Sequence, residues 1–158
     1  MICGPNGAGK STWSKSIATR HNVFCIDTDA LAAGGLSAIA AGKVAAEMVR
    51  TMIANGVSFA RESTLTAKFD FQIMQLARES GYTIHLTYIS IKTPELAISR
   101  VLARVQQGGH NVPEADVRRR FQRSQENLPK ALELVDDYII LDNSENVFTI
   151  KEEGQHHV

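Results

Sequence analysis

The sequence has few of the features that mark membrane, secreted or nucleic-acid-binding proteins. Its 158 residues include two cysteines and 6% aromatic residues, and 17 basic residues balance 17 acidic ones. A net charge of zero argues against attraction to nucleic acid or to a membrane surface through charge. No apolar run approaches the roughly 18 residues that cross a bilayer. Cys3 and Cys25 have no metal-ligand spacing, so we expect a cytoplasmic protein with reduced thiols, no membrane contact and little affinity for nucleic acid.

The length favours a single domain with an α/β fold. Strand-like and helix-like segments alternate, which indicates a mostly parallel sheet with helices on both faces. We place the domain at residues 1–150, with an arginine-rich helical lid at about 94–130 and a flexible tail at 151–158. Only residues 1–3 precede the first glycine, so the first strand is either short or lacks residues on its amino side. Further strands are predicted at 23–26, 57–60, 82–91, 138–141 and 147–150, helices at 14–20, 38–54, 69–80, 94–107 and 113–128, and a loop at 31–36.

The stretch CGPNGAGKST at positions 3–12 carries the strongest signal in the chain. Gly4, Gly9, Lys10 and Ser11 fill the pattern G-x-x-x-x-G-K-[ST] of a phosphate-binding loop. Glycine lets the backbone turn inward with its amides exposed, and the helix that follows adds its positive end. In this interpretation Lys10 reaches the β- and γ-phosphates of a nucleotide and Ser11 holds Mg²⁺. The alternative is a glycine-rich turn without a ligand. The predicted nucleotide-binding residues of the segment are Gly4, Asn6, Gly7, Ala8, Gly9, Lys10, Ser11 and Thr12.

Carboxylates follow two of the predicted strands. Asp27 and Asp29 come after the second strand, and Glu62 comes at the end of the third. Because ligands of open α/β sheets bind beyond the carboxyl ends of the strands, these side chains are candidates for an active site. Asp29 can take the proton of an acceptor hydroxyl, and Glu62 can orient a Mg²⁺-bound water or a substrate hydroxyl. The alternatives are a turn capped by the two aspartates and an exposed glutamate in a polar loop.

Positive charge concentrates between residues 94 and 130, where seven basic side chains outnumber four acidic ones. The basic residues are Arg100, Arg104, Arg118, Arg119, Arg120, Arg123 and Lys130. Arginine binds phosphate oxygens through a planar fork, and a transferring phosphoryl group needs such a partner. We predict that Arg100 and Arg104 contact the nucleotide, and that Arg104, Arg119 and Arg120 neutralise the charge that develops during transfer. The alternative is two solvated helix faces.

The late strand YIILDNS ends in three polar residues on the side of the sheet that faces the phosphate-binding loop. Asn143 either contacts the adenine ring of a nucleotide or takes part in an Asx turn. The residues themselves do not decide between these two interpretations.

These motifs, taken in order, resemble the zeta toxin family of P-loop kinases. A transporter ATPase shares the opening motif, but the chain has no LSGGQ signature and no acidic LDEP-like strand end. The resemblance covers most of the chain and depends on residues 4–12, IDTD at 26–29, ESTL at 62–65, and the segment from Arg104 through Gly108, Gly109 and His110 to Arg119, Arg120, Phe121, Ser124, Asn127 and Leu128.

The resemblance implies a P-loop fold with parallel strand order 2-3-1-4-5. It also implies the use of ATP or GTP with Mg²⁺ and transfer of the γ-phosphoryl group to a hydroxyl. In characterised members the acceptor is the sugar of UDP-N-acetylglucosamine. The catalytic base of the family matches Asp29, and a carboxylate that positions the substrate matches Glu62. Lys10 matches the lysine of the phosphate-binding loop.

The family's longer members have additional segments around the sugar-nucleotide pocket, so this compact chain is compatible with another small-molecule acceptor. Toxicity and an antitoxin partner do not follow from these residues. Two rival functions stay open at this point: a nucleotide-dependent switch without phosphoryl transfer, and a nucleic-acid end kinase that uses the basic helices.

Overall fold

A computed structural model describes residues 1–155 of the chain. Five of its strands and all but one of its helices overlap segments predicted from the sequence, and the first strand has two residues. The elements are β1 (Ile2–Cys3), α1 (Lys10–His21), β2 (Phe24–Ile26), α2 (Thr28–Ala33), α3 (Ala38–Ala54), β3 (Phe59–Ser63), α4 (Lys68–Glu79), β4 (His85–Ser90), α5 (Pro94–Gln106), α6 (Glu114–Leu132), β5 (Asp137–Asp142) and β6 (Thr149–Gln155).

The six strands form one sheet in the order β2-β3-β1-β4-β5-β6. The first five pair in parallel, which confirms the predicted order 2-3-1-4-5. β1 is the central strand and leads directly into the glycine-rich loop. The carboxyl ends of β1, β2, β3 and β5 therefore bring the predicted loop and acidic residues to the same edge of the sheet.

The last strand corrects the predicted tail. β6 pairs antiparallel with β5, so residues 151–155 belong to the sheet, while residues 156–158 lie outside the described part of the chain. Its sequence is polar and mostly exposed, as in many edge strands, where charged side chains discourage pairing with other molecules. This polar composition resembles that of a tail, which explains the wrong prediction.

A second correction concerns the predicted loop at 31–36. Residues 31–33 belong to α2, which begins after Asp27, whose carboxylate accepts the backbone N–H of Asp29 at 2.9 Å. An aspartate at this position satisfies one of the free amides of the first turn. The alanines that follow are strong helix formers, so a short helix forms where glycine at 34 and 35 suggested a loop.

Helices cover both faces of the sheet, as predicted. One apolar cluster joins the sheet to α3 and α4 through residues such as Val49 and Met74. The other joins it to α5 and α6 through residues such as Val101 and Phe121. Among residues 1–155, none of the helices combines the length and the hydropathy that a membrane crossing requires.

The turn between β5 and β6 makes stability depend on pH. The hydroxyl and the N–H of Ser144 and the ammonium of Lys151 lower the pKa of Asp142 to about 2. The Lys151 Nζ lies 3.0 Å from the carboxylate. A carboxylate with a lowered folded-state pKa contributes stability above its unfolded pKa of about 3.8, and this contribution is lost as the pH falls towards the folded value.

We expect Asp142→Asn to lower the free energy of unfolding at pH 6. The difference in free energy from the unsubstituted protein should shrink as the pH falls from 4 to 2. Denaturant titrations at several pH values measure this difference. Glu133→Gln serves as a control because Glu133 is exposed and carries no ion pair or side-chain hydrogen bond in the described contacts. A stability difference that is the same at pH 6 and pH 2.5 would contradict the role given to the Asp142 carboxylate.

Candidate active site

The loop at residues 4–9 has a backbone that only glycine can follow at its two ends. Gly4 and Gly9 have φ angles of 144° and 96°. A Cβ atom on Gly4 would collide with the backbone carbonyl of Ile89, and one on Gly9 would lie 2.5 Å from Nδ2 of Asn143. α1 begins directly after the loop, and no side chain caps its N-terminus. Its first amides are therefore available to an anion, as the motif requires.

Lys10 lies over this loop. Its Nζ donates hydrogen bonds to the carbonyls of Gly4 and Pro5, at 2.9 Å each. Burial lowers the pKa of Lys10, while the nearby carboxylate of Glu62 acts in the opposite direction. The ammonium thus has two backbone acceptors in the loop and a partly buried position.

Glu62 connects the end of β3 to the first turns of α1. Its Oε2 accepts a hydrogen bond from the Ser11 hydroxyl at 3.0 Å, and its Oε1 accepts one from the buried Ser14 hydroxyl. Burial raises the pKa of Glu62, and both serine hydroxyls oppose that rise. Two roles were considered for Glu62: orienting a Mg²⁺-bound water and orienting a substrate hydroxyl. This geometry favours the first, because the carboxylate bonds to the Ser11 hydroxyl, which is predicted to hold Mg²⁺.

A cavity of about 420 Å³ opens beside Lys10 at the carboxyl edge of the sheet. It brings together five side chains that the sequence analysis assigned to catalysis, from the four elements α1, α2, β3 and α6. These are Lys10, Asp29, Glu62, Arg119 and Arg120. Acidic groups from one side and arginines of α6 from the other therefore face a common space.

The charged groups of this cavity differ in how far they are already paired. Arg119 lies 2.9 Å from Asp116 on its own helix. In the described contacts, Arg120 and Arg123 form no ion pair or side-chain hydrogen bond, and the same holds for the carboxylate of Asp29. Two guanidinium groups and one carboxylate are thus available to a ligand.

The loop after β3 presents two hydroxyls to the cavity. Thr64 and Thr66 line it, and their Oγ1 atoms lie 2.9 Å apart. Between them the fully buried Leu65 has a φ of 57°, a left-handed conformation that is uncommon for a leucine. Asn127 of α6 donates to the Leu65 carbonyl at 2.8 Å, and Ser63 accepts the Leu65 N–H. The helix with the arginines is thereby tied to the loop with the hydroxyls.

Arg100 and Arg104 do not line the cavity. The Arg100 guanidinium donates to the carbonyls of Gly7 and Asn143, at 3.3 and 2.7 Å, and also to Ser144 and Asn146. Its fork is thus used by the protein's own backbone, so the structure gives Arg100 the role of a clamp between α5, the loop and the end of β5. Arg104 donates to the His110 carbonyl at 2.9 Å.

Asn143 is a second side chain that holds the backbone of the loop. Its Nδ2 donates to the Ala8 carbonyl at 2.9 Å, and the side chain is buried. The neighbouring Asp142 accepts the Ser144 N–H at 2.7 Å, which is the hydrogen bond of an Asx turn. Of the two interpretations left open for this segment, the structure shows the turn, and the Asn143 amide points at the loop backbone.

Ser14 and Arg123 are site residues that the sequence analysis did not assign. Ser14 lies one helical turn after Ser11, on the same face of α1, so the spacing i, i+3 was an available signal. Arg123 lies one turn after Arg119 and Arg120 and was counted in the arginine cluster without a role. The buried pair of Arg61 and Asp70, with Nη1 and Oδ1 2.5 Å apart, forms the floor of the cavity and had no sequence signal beyond its charges.

Comparison with known proteins agrees with this geometry. The family model described as zeta toxin matches residues 1–155. An uncharacterised protein of Haemophilus influenzae is 36% identical over 127 residues, which cover 77% of this chain and 90% of that protein. The chain belongs to the zeta toxin family. Its membership supports a nucleotide-dependent, kinase-like function.

Solved structures show the same fold. A proposed kinase from Chloroflexus aurantiacus superposes with a TM-score of 0.69 at 23% identity, covering 92% of this chain and 89% of that one. A protein of the PezAT toxin–antitoxin system of Streptococcus pneumoniae gives a TM-score of 0.69 at 18% identity, covering 96% of this chain and 70% of that one. At these identities the likeness establishes the shared architecture of this family member and not its substrate.

We expect Ser14→Ala to lower the free energy of unfolding by about 1–3 kcal/mol, the cost of leaving a buried polar group short of a partner. The reason is that the Glu62 carboxylate loses the Ser14 hydroxyl. Ser16→Ala makes the same chemical change at an exposed position of α1 and should leave stability nearly unchanged. Equal effects of the two substitutions in denaturant titrations would contradict the role assigned to Ser14.

Proposed function

We propose that this protein is a kinase that transfers the γ-phosphoryl group of ATP to a hydroxyl of a small molecule. The observation that carries the proposal is the single cavity in which Lys10, Asp29 and the arginines of α6 meet beside the glycine-rich loop. Both cysteines are unpaired, which supports action in the reducing cytoplasm. An antitoxin is not part of the proposal, because the residues of the site do not themselves indicate one.

The residues of the loop fit a nucleotide with Mg²⁺. The space in front of Gly4 and Gly9 admits no side chain, α1 has no side-chain cap, and the Lys10 ammonium donates to two carbonyls of the loop. The Ser11 hydroxyl and the Glu62 carboxylate are oxygen donors of the type that Mg²⁺ prefers. Among residues 1–155 no cluster of three metal-binding side chains occurs, which suits an ion held mainly by phosphates, water and one hydroxyl. When bound, Mg²⁺ would neutralise charge on the β- and γ-phosphates.

Asp29 is the proposed general base. Its exposed carboxylate lines the cavity together with Lys10 and is held by α2, whose first turn is capped by Asp27. A carboxylate in this position orients an acceptor hydroxyl for in-line attack and accepts its proton as the new oxygen–phosphorus bond forms, while the bond from the γ-phosphorus to the β,γ-bridging oxygen breaks and ADP leaves. The backbone bond from Asp29 to Asp27 fixes where the side chain leaves the helix.

Arg120 and Arg123 are the proposed partners of the transferring phosphoryl group and of the acceptor. Both line the cavity without an ion pair of their own, and a guanidinium fork matches two phosphate oxygens. Arg119 contributes less in this structure because Asp116 already holds it. Arg100 and Arg104 donate to backbone carbonyls instead. In this proposal Arg100 holds the loop that binds the phosphates.

The acceptor has to match hydroxyl donors as well as positive charge. Thr64 and Thr66 offer hydroxyls, and Arg123, which also lines the cavity, offers a cation. A sugar nucleotide such as UDP-N-acetylglucosamine, the acceptor in characterised members of the family, combines sugar hydroxyls with a diphosphate. We propose an acceptor of this class, with both hydroxyls and an anionic group.

The assay that tests this function incubates the protein with ATP labelled at the γ-phosphate, Mg²⁺ and either UDP-N-acetylglucosamine or a total metabolite extract. Label in a small organic product, identified by mass spectrometry, supports the kinase. Label found only in inorganic phosphate would instead support a nucleotide-dependent switch, and label at the end of an oligonucleotide would support a nucleic-acid kinase.

We expect Asp29→Asn to lower kcat by about 10²–10⁴-fold, the range typical of a lost general base. The affinity for ATP should change little, because Asp29 contacts the acceptor in this proposal and not the nucleotide. Lys10→Ala should show the converse pattern, with weakened ATP binding. Kinetics of transfer and equilibrium titration with a nucleotide analogue separate the two effects, and unchanged turnover of Asp29→Asn would remove Asp29 as the base.

We expect Arg120→Met to lower kcat by about 10³-fold if its guanidinium meets the transferring group, and Arg123→Met to raise KM for the acceptor. Arg78→Met is the matched control because Arg78 is exposed on α4, outside the cavity. Transfer rates at varied acceptor concentration measure both constants. Full activity of both α6 variants would show that these arginines serve only as a solvated helix face.

A further inference from the structure

One glycine of this chain is required neither by its backbone conformation nor by close packing. Residues 1–155 contain all eleven glycines, and ten of them have a positive φ, a neighbouring atom within 4 Å of the position that a Cβ would occupy, or both. Gly42 has neither: its φ lies outside the left-handed region, and beyond its own helix backbone no atom of the described chain lies within 4 Å of that position. A side chain would therefore fit at Gly42.

The position of Gly42 in a helix makes the missing side chain costly. Gly42 is the fifth residue of α3, in a stretch that is otherwise rich in alanine. Glycine is a poorer helix former than every residue except proline, because it loses the most backbone freedom when a helix forms. The fold would gain stability from alanine at this position, so the glycine needs another explanation.

Gly42 faces the cavity of the candidate active site. Gly42 and Ala45 are three residues apart and lie on the same face of α3, and both line the cavity that contains Lys10 and Asp29. A side chain at position 42 would thus occupy space in the cavity. Phe69 lines the cavity as well, so it has an uncharged, apolar part in addition to its charged groups.

Arg61 is an independent sign that this cavity holds a ligand. Its side chain lines the cavity and is only 7% exposed, and its Nη1 pairs with Asp70. Its Nε has no hydrogen-bond partner among the described residues. Buried donors normally have a partner, and a group bound from outside the chain is one way to provide it.

We propose that Gly42 is a specificity-determining residue for the phosphoryl acceptor. Its missing side chain leaves room for an uncharged part of the acceptor to lie against α3, while the acceptor hydroxyl meets Asp29 on the neighbouring helix α2. This inference rests on the proposed kinase function and adds a size limit to it: the acceptor is large enough to need the space at position 42.

The test compares Gly42→Ala and Gly42→Leu with the unsubstituted protein. Gly42→Ala should raise the melting temperature by about 2–4 °C, because alanine is the better helix former. It should also raise KM for the acceptor found in the labelling assay, with UDP-N-acetylglucosamine as the first probe. Gly42→Leu should raise this KM by at least about tenfold, in the range of a poorly fitting side chain in a pocket. The affinity for ATP should stay the same in both variants.

Ala54→Leu is the matched control, because Ala54 is exposed on the same helix and does not line the cavity. It should leave KM for the acceptor unchanged. A variant that is more stable but binds its acceptor more weakly cannot be explained by a damaged fold, so the opposite directions of the two effects identify a role in specificity.

Two results would overturn the inference alone. A lower melting temperature of Gly42→Ala would show that the fold itself requires the glycine. An unchanged KM for the acceptor in Gly42→Leu would show that the acceptor does not use the space at position 42. Failure of the proposed function gives a different result, in which the unsubstituted protein labels no small acceptor at all, and the inference then falls with it.

Discussion

The backbone conformation of the loop at residues 4–9 is the constraint on which the proposed chemistry depends. Its φ angles admit only glycine at both ends, and two side chains that do not line the cavity hold its shape. Asn143 bonds to Ala8, and Arg100 bonds to Gly7 and to the end of β5. Hydrogen bonds that involve a charged group contribute about 1.5–3 kcal/mol each, so the loop has its shape before the polyphosphate of the proposed function binds.

The same arrangement explains how one edge of the sheet can serve both nucleotide and acceptor. β3 contributes Glu62, which joins the hydroxyls of Ser11 and Ser14 on the nucleotide side. The loop that follows β3 presents Thr64 and Thr66 to the cavity, where the proposed acceptor would bind. A single strand end thus connects the two halves of the site, and Asn127 of α6 holds the second half to the arginine-bearing helix.

Sequence patterns are most informative at positions that admit one residue type. The glycine-rich loop and the acids at the ends of β2 and β3 follow from motif and topology, and they do meet in space. The targets of Arg100 could not be predicted, because a sequence shows a guanidinium but not whether backbone carbonyls already occupy its fork. The second half of β6, residues 151–155, was assigned to a tail for a related reason: a charged edge strand and a polar tail have the same composition, and only pairing with β5 distinguishes them.

The most direct measurement is a crystal structure with a non-hydrolysable ATP analogue, Mg²⁺ and an acceptor. The account predicts that amides of residues 7–11 surround the phosphates, that the terminal phosphate lies between Lys10 and Arg120, and that Asp29 contacts the acceptor hydroxyl. An analogue bound away from the loop, or an Asp29 carboxylate turned out of the cavity in the ternary complex, would contradict it.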